Sequence, residues 1–325
     1  MSLPPSKQRA LKIVRAGELE VVDDSAIPCI EADEVLVRVQ SVAVNPADAK
    51  ASDLSPTVGA TVGCDFAGEV VLVGASVRKQ LSACDRVCGP VFGNNPLRLD
   101  NGAFAEYVAA AGDLVFKIPQ HIDFDQAATL PCGLATVGLA LHQSLKVPLP
   151  SFSGLLPIAT CSPARSDWIK SLGAVATFDY RSPTVGSDIR SLTHDSMTFA
   201  LDCITTTSSM AMCYEALASS GGNYVSLDPF PIRSHTRRSV RPSWVFGLTM
   251  FGTPVRWQRP FNAEAKPNDR AFSEQWFLMV QELLNDGLIK TCNYEVRQGG
   301  LSAIAGGIDE VRKGLVSGKK LVYQV

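Results

Sequence analysis

The hydrophobic pattern changes period once along the chain, near residue 120, and that switch restricts the fold more than any other feature. Residues 10–118 carry short apolar or alternating runs, LKIV, VLVRVQSVAV, GEVVLVG, DRVCGP and GAFAEYVAA, broken by Gly, Pro, Asp and Asn. Such runs bounded by turn residues read as strands, and their close spacing suits a compact β-barrel or sandwich-like domain. From about 125 the apolar residues Leu130, Leu134, Val137, Leu141 and Leu145 recur at three- and four-residue steps, which is helical spacing. Gly133, Ala135, Gly138 and Ala140 lie on the other faces. They are small enough for a ligand or backbone to approach, or simply for tight core packing.

Strand-like runs then alternate with helical ones. LLPIAT, AVATFDY, FALDCIT and GGNYVSLD are separated by SDWIKSLG, SDIRSLTHD and SSMAMCYEALASS. That alternation predicts a parallel, doubly wound sheet. Leu301, Ile304, Ile308, Val311 and Leu315 predict a late helix, and KLVYQV a final strand. The expected α/β architecture has two domains: residues 1–120, with 288–325 returning to them, and residues 121–287. A length of 325 residues agrees with two domains.

Composition narrows the function classes. Thirty basic and 32 acidic residues give a net charge of −2, too even for the field that draws nucleic acid. The start, MSLPPSKQRALKIVRAG, has no apolar run before a cleavage site, and no stretch approaches the ~20 apolar residues of a membrane span. The expectation is a soluble cytoplasmic protein. Nine cysteines, an odd number scattered through the chain, read as reduced thiols. Cys84 and Cys88 form the one suggestive pair, and no other Cys or His lies near them in sequence. A zinc site needs about four such ligands, so both are expected to be structural thiols.

Six ordered motifs carry a resemblance. NPADAK (45–50), GCDFAGEV (63–70), CDRVCG (84–89), GAFAEY (102–107), KIP (117–119) and LPCGLATVGLAL (130–141) resemble the medium-chain dehydrogenase/reductase superfamily over nearly the whole chain. PIATCSP (157–163), FDYRSP (178–183), ALDCIT (200–205), GGNYVSLDPFP (221–231) and VRKGLVSGKKLV (311–322) resemble, within it, the trans-acting enoyl reductases of fungal polyketide synthases. The resemblance implies a GroES-like β-rich catalytic domain and a Rossmann-type parallel-sheet domain. It also implies NADPH as cofactor, and as partner the acyl-carrier domain of a synthase, carrying an enoyl thioester in secondary-metabolite biosynthesis. A monomer is expected. Zinc-dependent relatives carry a His-Glu pair where this chain has Cys64-Asp65. Its four histidines, His121, His142, His194 and His235, fall outside the family's ligand positions, so no metal is expected. A conjugated enoyl acceptor suits hydride transfer without a Lewis acid.

A dinucleotide fold opens with a strand, a Gly-rich turn and a helix whose N-terminus faces the pyrophosphate. After LHQSLKVPLPSFSG the chain runs directly into LLPIATCSP, which matches the second strand of the family. About thirty residues, one strand–turn–helix unit, are missing. In the order 3-2-1-4-5-6 the absent strand is central. The gap admits three readings: a mis-spliced gene model or minor isoform, a non-catalytic companion of the synthase, or LLPIAT shifted into the first-strand position. A general zinc-free quinone-type reductase is a further alternative for function.

By the same resemblance, Ala47, Asp48, Ala49 and Lys50 reach the cofactor from NPADAK, and Thr136 sits by the nicotinamide. Cys161, Ser162, Pro163 and Ala164 form the turn after the second strand. Tyr180 packs near the adenine, Ser226 and Leu227 line the nicotinamide end, and Val316 and Ser317 close the site. The 161–165 turn has no acid and ends in Arg165. This favours the 2′-phosphate of NADPH over the bare ribose of NAD, because Arg pairs bidentately with phosphate. Val137, Gly138, Leu139, Ala140, Leu141 and His142, with Gly247, Leu248, Thr249, Met250 and Phe251, match substrate-facing segments, buried core being the rival reading. Arg233, Arg237, Arg238, Arg241, Arg256 and Arg259 cluster in 229–260. They suggest a rim for docking an acidic carrier, a solvated loop being the alternative.

Overall fold

In the computed structural model, residues 5–147 and 155–325 are described. The stretch 148–154, at the expected gap, lies outside them. The chain forms two compact units, residues 1–135 with 247–325, and residues 136–246.

The first unit opens with the hairpin β1 (Lys7–Arg15) and β2 (Glu18–Ala26), followed by β3 (Glu34–Ala43), α1 (Pro46–Leu54), β4 (Asp65–Val73), β5 (Arg86–Pro90), β6 (Tyr107–Ala111), β7 (Phe116–Lys117), α2 (Phe124–Ala128) and α3 (Pro131–Val137), whose last two residues belong to the second unit. In the second unit come β8 (Ile158–Cys161), α4 (Ser166–Ser171), β9 (Ala176–Asp179), α5 (Val185–Leu192), β10 (Phe199–Asp202), α6 (Thr207–Ala216), β11 (Gly222–Ser226) and β12 (Val240–Trp244). The chain then rejoins the first unit through β13 (Val255–Arg256), β14 (Asn262–Ala263), α7 (Pro267–Asn285), β15 (Tyr294–Arg297), α8 (Leu301–Arg312) and β16 (Lys320–Gln324).

The β-rich unit is built on the strand order β15-β16-β3-β4-β5-β7, and β6 pairs with residues 34–38 of β3, beside the residues 41–43 that pair with β16. Val35, Val37, Val39 and Val42 of β3 and Phe66 of β4 are buried with Phe104, Leu11 and Ile13. The α8 residues Leu301, Ile304 and Ile308 recur at helical steps and enter the same core. Gly307 permits the close approach of α8 to β16, since a Cβ there would stand 2.1 Å from the Tyr323 hydroxyl.

The return to this unit begins at 247, well before the expected 288. Phe277 of α7 stacks on Phe116 with ring centroids 4.4 Å apart, and Trp276 Nε1 donates to Leu134 O at 2.8 Å. A helix expected in the sheet domain therefore belongs to the β-rich core.

The second unit shows what an incomplete dinucleotide fold does to a sheet. β8 and β9 pair in parallel, and so do β10, β11 and β12, as two separate sheets. Among the described residues no strand pairs with the remaining edge of β8 or of β10. In the family order these sheets correspond to strands 3-2 and 4-5-6, with no described strand between them. The core is divided as well. Val185, Ile189 and Ala216 form one cluster beside Ile158 and Phe178, while Ala200, Met210, Tyr214, Leu217, Tyr224 and Val240 form another. No residue of β8, α4 or β9 is buried, and Leu172 and Val175 are 52% and 54% exposed. Parallel strands need cover on both faces, so this module has lost packing partners.

Candidate active site

The predicted residues fall into two groups, one on each unit. In the β-rich unit the NPADAK motif starts α1. Asn45 is extended, Pro46 takes the first turn where no N–H is required, and Asp48 reaches back to accept the Asn45 N–H at 2.7 Å. Ala47 and Lys50 are exposed, whereas Asp48 and Ala49 are buried.

Asp48 belongs to a buried polar cluster. Asp65, 0% exposed, accepts at Oδ2 from Asn45 Nδ2 at 2.9 Å and from Lys320 Nζ at 2.6 Å, and at Oδ1 from the Cys132 N–H at 2.7 Å. Lys320 Nζ also donates to Thr129 O at 3.0 Å. Burial pulls the Lys320 ammonium down and the Asp65 carboxylate pulls it up, with a net upward shift. The Cys64-Asp65 pair thus stands in a cluster whose cation is a lysine. Among the described residues no set of three His, Cys, Asp or Glu is placed to hold a metal.

Burial raises the Asp48 carboxyl to about 6, against the pull of the Asn45 N–H. Its Oδ1 is buried without a hydrogen-bond partner among the described residues, and the Cys64 thiol beside it is pushed well up by burial and by Asp48.

The remaining predicted residues of this unit lie near its surface or in one aromatic group. Val316 is half-buried against the core, and Ser317 is exposed. Gly247–Phe251 forms a 3₁₀ turn with Thr249 and Met250 buried and Gly247 and Leu248 half-buried. Phe251 stacks on Phe92 at 6.1 Å, and Trp257 meets Phe92 edge-on at 5.7 Å. Phe92 and Trp257 escaped the sequence reading because neither shares a local pattern with 247–251.

In the parallel-sheet unit, Thr136 is half-buried and Val137 exposed. Gly138–Ser144 is a π-helix, in which Leu139, Ala140 and Gly138 are buried while Leu141 and His142 are half-buried. The wider register re-aims side chains, and such insertions are common at functional sites. This π-helix packs against β11 and β12. Ser226 ends β11 fully buried, its hydroxyl donating to Asp228 O at 2.7 Å, and the Leu227 N–H donates to Asp202 O at 3.2 Å.

β8 and β9 bring the other predicted contacts side by side. Cys161 is the register partner of Asp179, so the turn Ser162-Pro163-Ala164-Arg165 and the pair Tyr180-Arg181 leave the sheet at adjacent strand ends. Pro163 and Ala164 are exposed, Cys161 and Ser162 half-buried, and Tyr180 is 51% exposed. Arg165 lies over Trp168 at 5.9 Å and Arg181 over Tyr180 at 5.2 Å. Arg181 was not singled out from sequence; its place beside a solvent-facing aromatic at a carboxyl-terminal strand end is the signal.

The arginine cluster separates. Arg237 turns inward, donating to Leu217 O at 3.1 Å and Ser219 O at 3.3 Å, and to Tyr214 O and Ala218 O. It caps the α6 C-terminus, where a cation is favoured. Arg256 pairs with Glu264 at 2.7 Å. Arg233, Arg238, Arg241 and Arg259 are exposed.

Residues 31–120 match the alcohol dehydrogenase GroES-like domain. The chain is 51% identical over 330 residues to the trans-enoyl reductase apdC of Emericella nidulans, covering 99% of both chains. It is 46% identical over 358 residues to the trans-enoyl reductase opdC of Penicillium oxalicum, covering 99% of this chain and 98% of that one. Both alignments are longer than this 325-residue chain, the first by a few positions and the second by about one strand–turn–helix unit. Among solved structures, the JamJ enoyl reductase aligns with a TM-score of 0.75 at 18% identity over 98% of this chain and 99% of that one. The CurK enoyl reductase aligns with a TM-score of 0.72 at 18% identity over 98% and 99%. At that identity the likeness is one of fold.

Proposed function

The chain belongs to the trans-enoyl reductases of the medium-chain dehydrogenase/reductase superfamily, and from that premise we propose that it reduces an enoyl thioester held on a polyketide synthase carrier, using NADPH. The observation that carries the choice of cofactor is the paired strand end of β8 and β9. There Ser162, Arg165 and Arg181 offer a hydroxyl and two guanidiniums beside exposed Tyr180, and the 161–165 turn bears no carboxylate. A 2′-phosphate on the ribose is recognised by such donors and an adenine by such a ring, whereas NAD-binding turns place an acid on the 2′-hydroxyl.

The fit is partial. Among the described residues no strand, glycine turn and helix precede β8 to cradle the pyrophosphate. The hold on the cofactor in this reading rests on its adenosine 2′-phosphate end. When bound, NADPH supplies hydride to the β-carbon of the conjugated thioester. The chain's own part is to position: Leu141 and His142 of the π-helix, with Val137 just before it, are apolar or aromatic side chains suited to an acyl chain.

Replacing Arg165 by alanine should weaken NADPH binding about ten-fold or more, the worth of a charge-assisted phosphate contact, and leave NADH binding unchanged. Fluorescence titration with both nucleotides reads this directly. Equal losses for the two would remove Arg165 from the 2′-phosphate.

A second reading, a non-catalytic companion of the synthase, draws its support from the divided sheet. It requires that NADPH not bind at all, so the same titration separates the two.

Carrier docking belongs to this proposal, with the exposed arginines as its rim. Arg237 is excluded because it holds α6. Reversing Arg238 and Arg241 to glutamate should raise KM for a carrier-bound enoyl substrate severalfold at low salt, with no change for a small soluble thioester; loss of long-range attraction is a salt-dependent effect. An unchanged KM at low ionic strength would remove the rim. A monomer in the cytoplasm completes the proposal; no described helix is long and apolar enough to cross a membrane.

A further inference from the structure

One side of α6 forms the floor of a groove of about 430 Å³ on the parallel-sheet unit. Thr207, Ala211 and Tyr214 lie on it at helical spacing. Arg190 from the last turn of α5 and Arg233, Ser234, Thr236 and Arg237 from the segment after β11 line its walls. We infer that this groove is an anion site that takes a phosphate ester, held between Arg190 and Arg233.

Three guanidiniums line the groove and one carboxylate, Glu215, lines it with them. Glu215 forms no ion pair, and Arg233 has neither an ion pair nor a hydrogen bond among the described residues. Asp195 adds a second acid, its Oδ1 standing 3.8 Å from Arg190 Nε as an ion pair too long for a hydrogen bond. The cations therefore outnumber the acids in a concave, hydroxyl-lined space, where Thr207, Ser234 and Thr236 add neutral donors.

The groove is also preorganised. Arg190 Nη2 donates to Tyr214 O at 3.5 Å, and Arg237 donates to the same carbonyl. Two guanidiniums thus converge on the last turn of α6, which fixes them before a ligand arrives and lowers the entropy cost of binding. Arg190 Nε is buried and faces Asp195, which leaves the terminal guanidinium nitrogens of Arg190 and Arg233 to meet a phosphate, whose geometry arginine matches with paired donors. The groove shares no residue with the 161–165 turn or Tyr180, so it is a second phosphate site.

The phosphate can come from two sources, the free ion or the phosphopantetheine arm of a carrier; only the second rests on the carrier reading above. Calorimetric titration with inorganic phosphate and, separately, with 4′-phosphopantetheine tests the site. Both should bind saturably and compete, and Arg190→Gln with Arg233→Ala should weaken both at least ten-fold while circular dichroism shows the fold retained. Arg233→Ala alone, at an exposed and unpartnered residue, supplies a variant that has no reason to unfold. It should weaken both probes severalfold. Tighter binding of phosphopantetheine than of phosphate assigns the arm, and equal binding assigns the free ion. No saturable binding of either probe, or binding unaffected in both variants, overturns the inference. Neither probe involves NADPH or an enoyl group, so the outcome is independent of the reductase reading.

Discussion

Asp65→Ala should lower unfolding stability by about 3–5 kcal/mol, the cost of stranding one partner of a buried ion pair. Asp65 is wholly buried and is hydrogen-bonded to Lys320, to Asn45 and to the Cys132 N–H. Its removal leaves the ammonium of Lys320 with only the Thr129 carbonyl and frees two further donors. Asp65→Asn keeps an acceptor but not the charge, so most of the loss should remain. Replacing the pair together, Asp65→Leu with Lys320→Met, should recover much of the stability, because apolar isosteres of buried pairs are often neutral. Urea unfolding followed by tryptophan fluorescence measures all three. If the double variant were no better than Asp65→Ala, the loss would come from packing rather than from the unpaired charge.

Asp48→Asn should stabilise the protein above pH 6 by about 2–3 kcal/mol relative to the parent, from a shift worth 1.36 kcal/mol per unit. The sign follows from proton linkage. Burial raises the folded carboxyl from 3.8 to about 6, so between those values the folded state holds a proton that the unfolded state has released. Stability is therefore lost as pH rises from about 4 to about 6, and the deficit stays constant above that. Asparagine stays neutral, still accepts the Asn45 N–H through its carbonyl, and brings a donor toward the Cys64 thiol. The difference between variant and parent should be small at pH 4 and grow to its plateau by pH 7. A difference that did not vary with pH would mean that Asp48 titrates normally in the folded protein.

Both predictions concern contacts that no local pattern reveals. The strands of the first hundred residues and helix α8 were legible because alternation and three-to-four spacing are local. The expected gap, where the sequence passes straight to the next strand, falls at residues outside the described ones; the described strands on its far side form two separate sheets. Other features depended on distant partners. Lys320 meets Asp65 across 255 positions, and Phe92 finds Phe251 and Trp257. Arg237 looked like part of a surface rim, yet folds back on α6 because the helix ends with unsatisfied carbonyls.

Two local features were misread or missed. The run Leu130 to Leu145 predicts one regular helix, but the chain changes register at 138, where Leu145 N donates to Ala140 O; apolar spacing does not distinguish i+4 from i+5 bonding. Helix α7, with Trp276, Phe277, Val280 and Leu284 buried on one side, had a readable pattern, although not one that told which unit it joins. The candidate site residues are readable only as positions in a resemblance. The pairing of Cys161 with Asp179 adds that the 162–165 turn and Tyr180-Arg181 leave adjacent strand ends.

The most direct test is reduction of an enoyl thioester loaded on a synthase carrier domain, followed by mass spectrometry of the acyl chain with NADPH or NADH supplied. A gain of two hydrogens is expected with NADPH, and a rate with NADH at least about ten-fold lower, as the 2′-phosphate contacts require. No reduction and no nucleotide binding at saturating NADPH would contradict it, leaving the divided sheet as the mark of a protein that accompanies the synthase without catalysing.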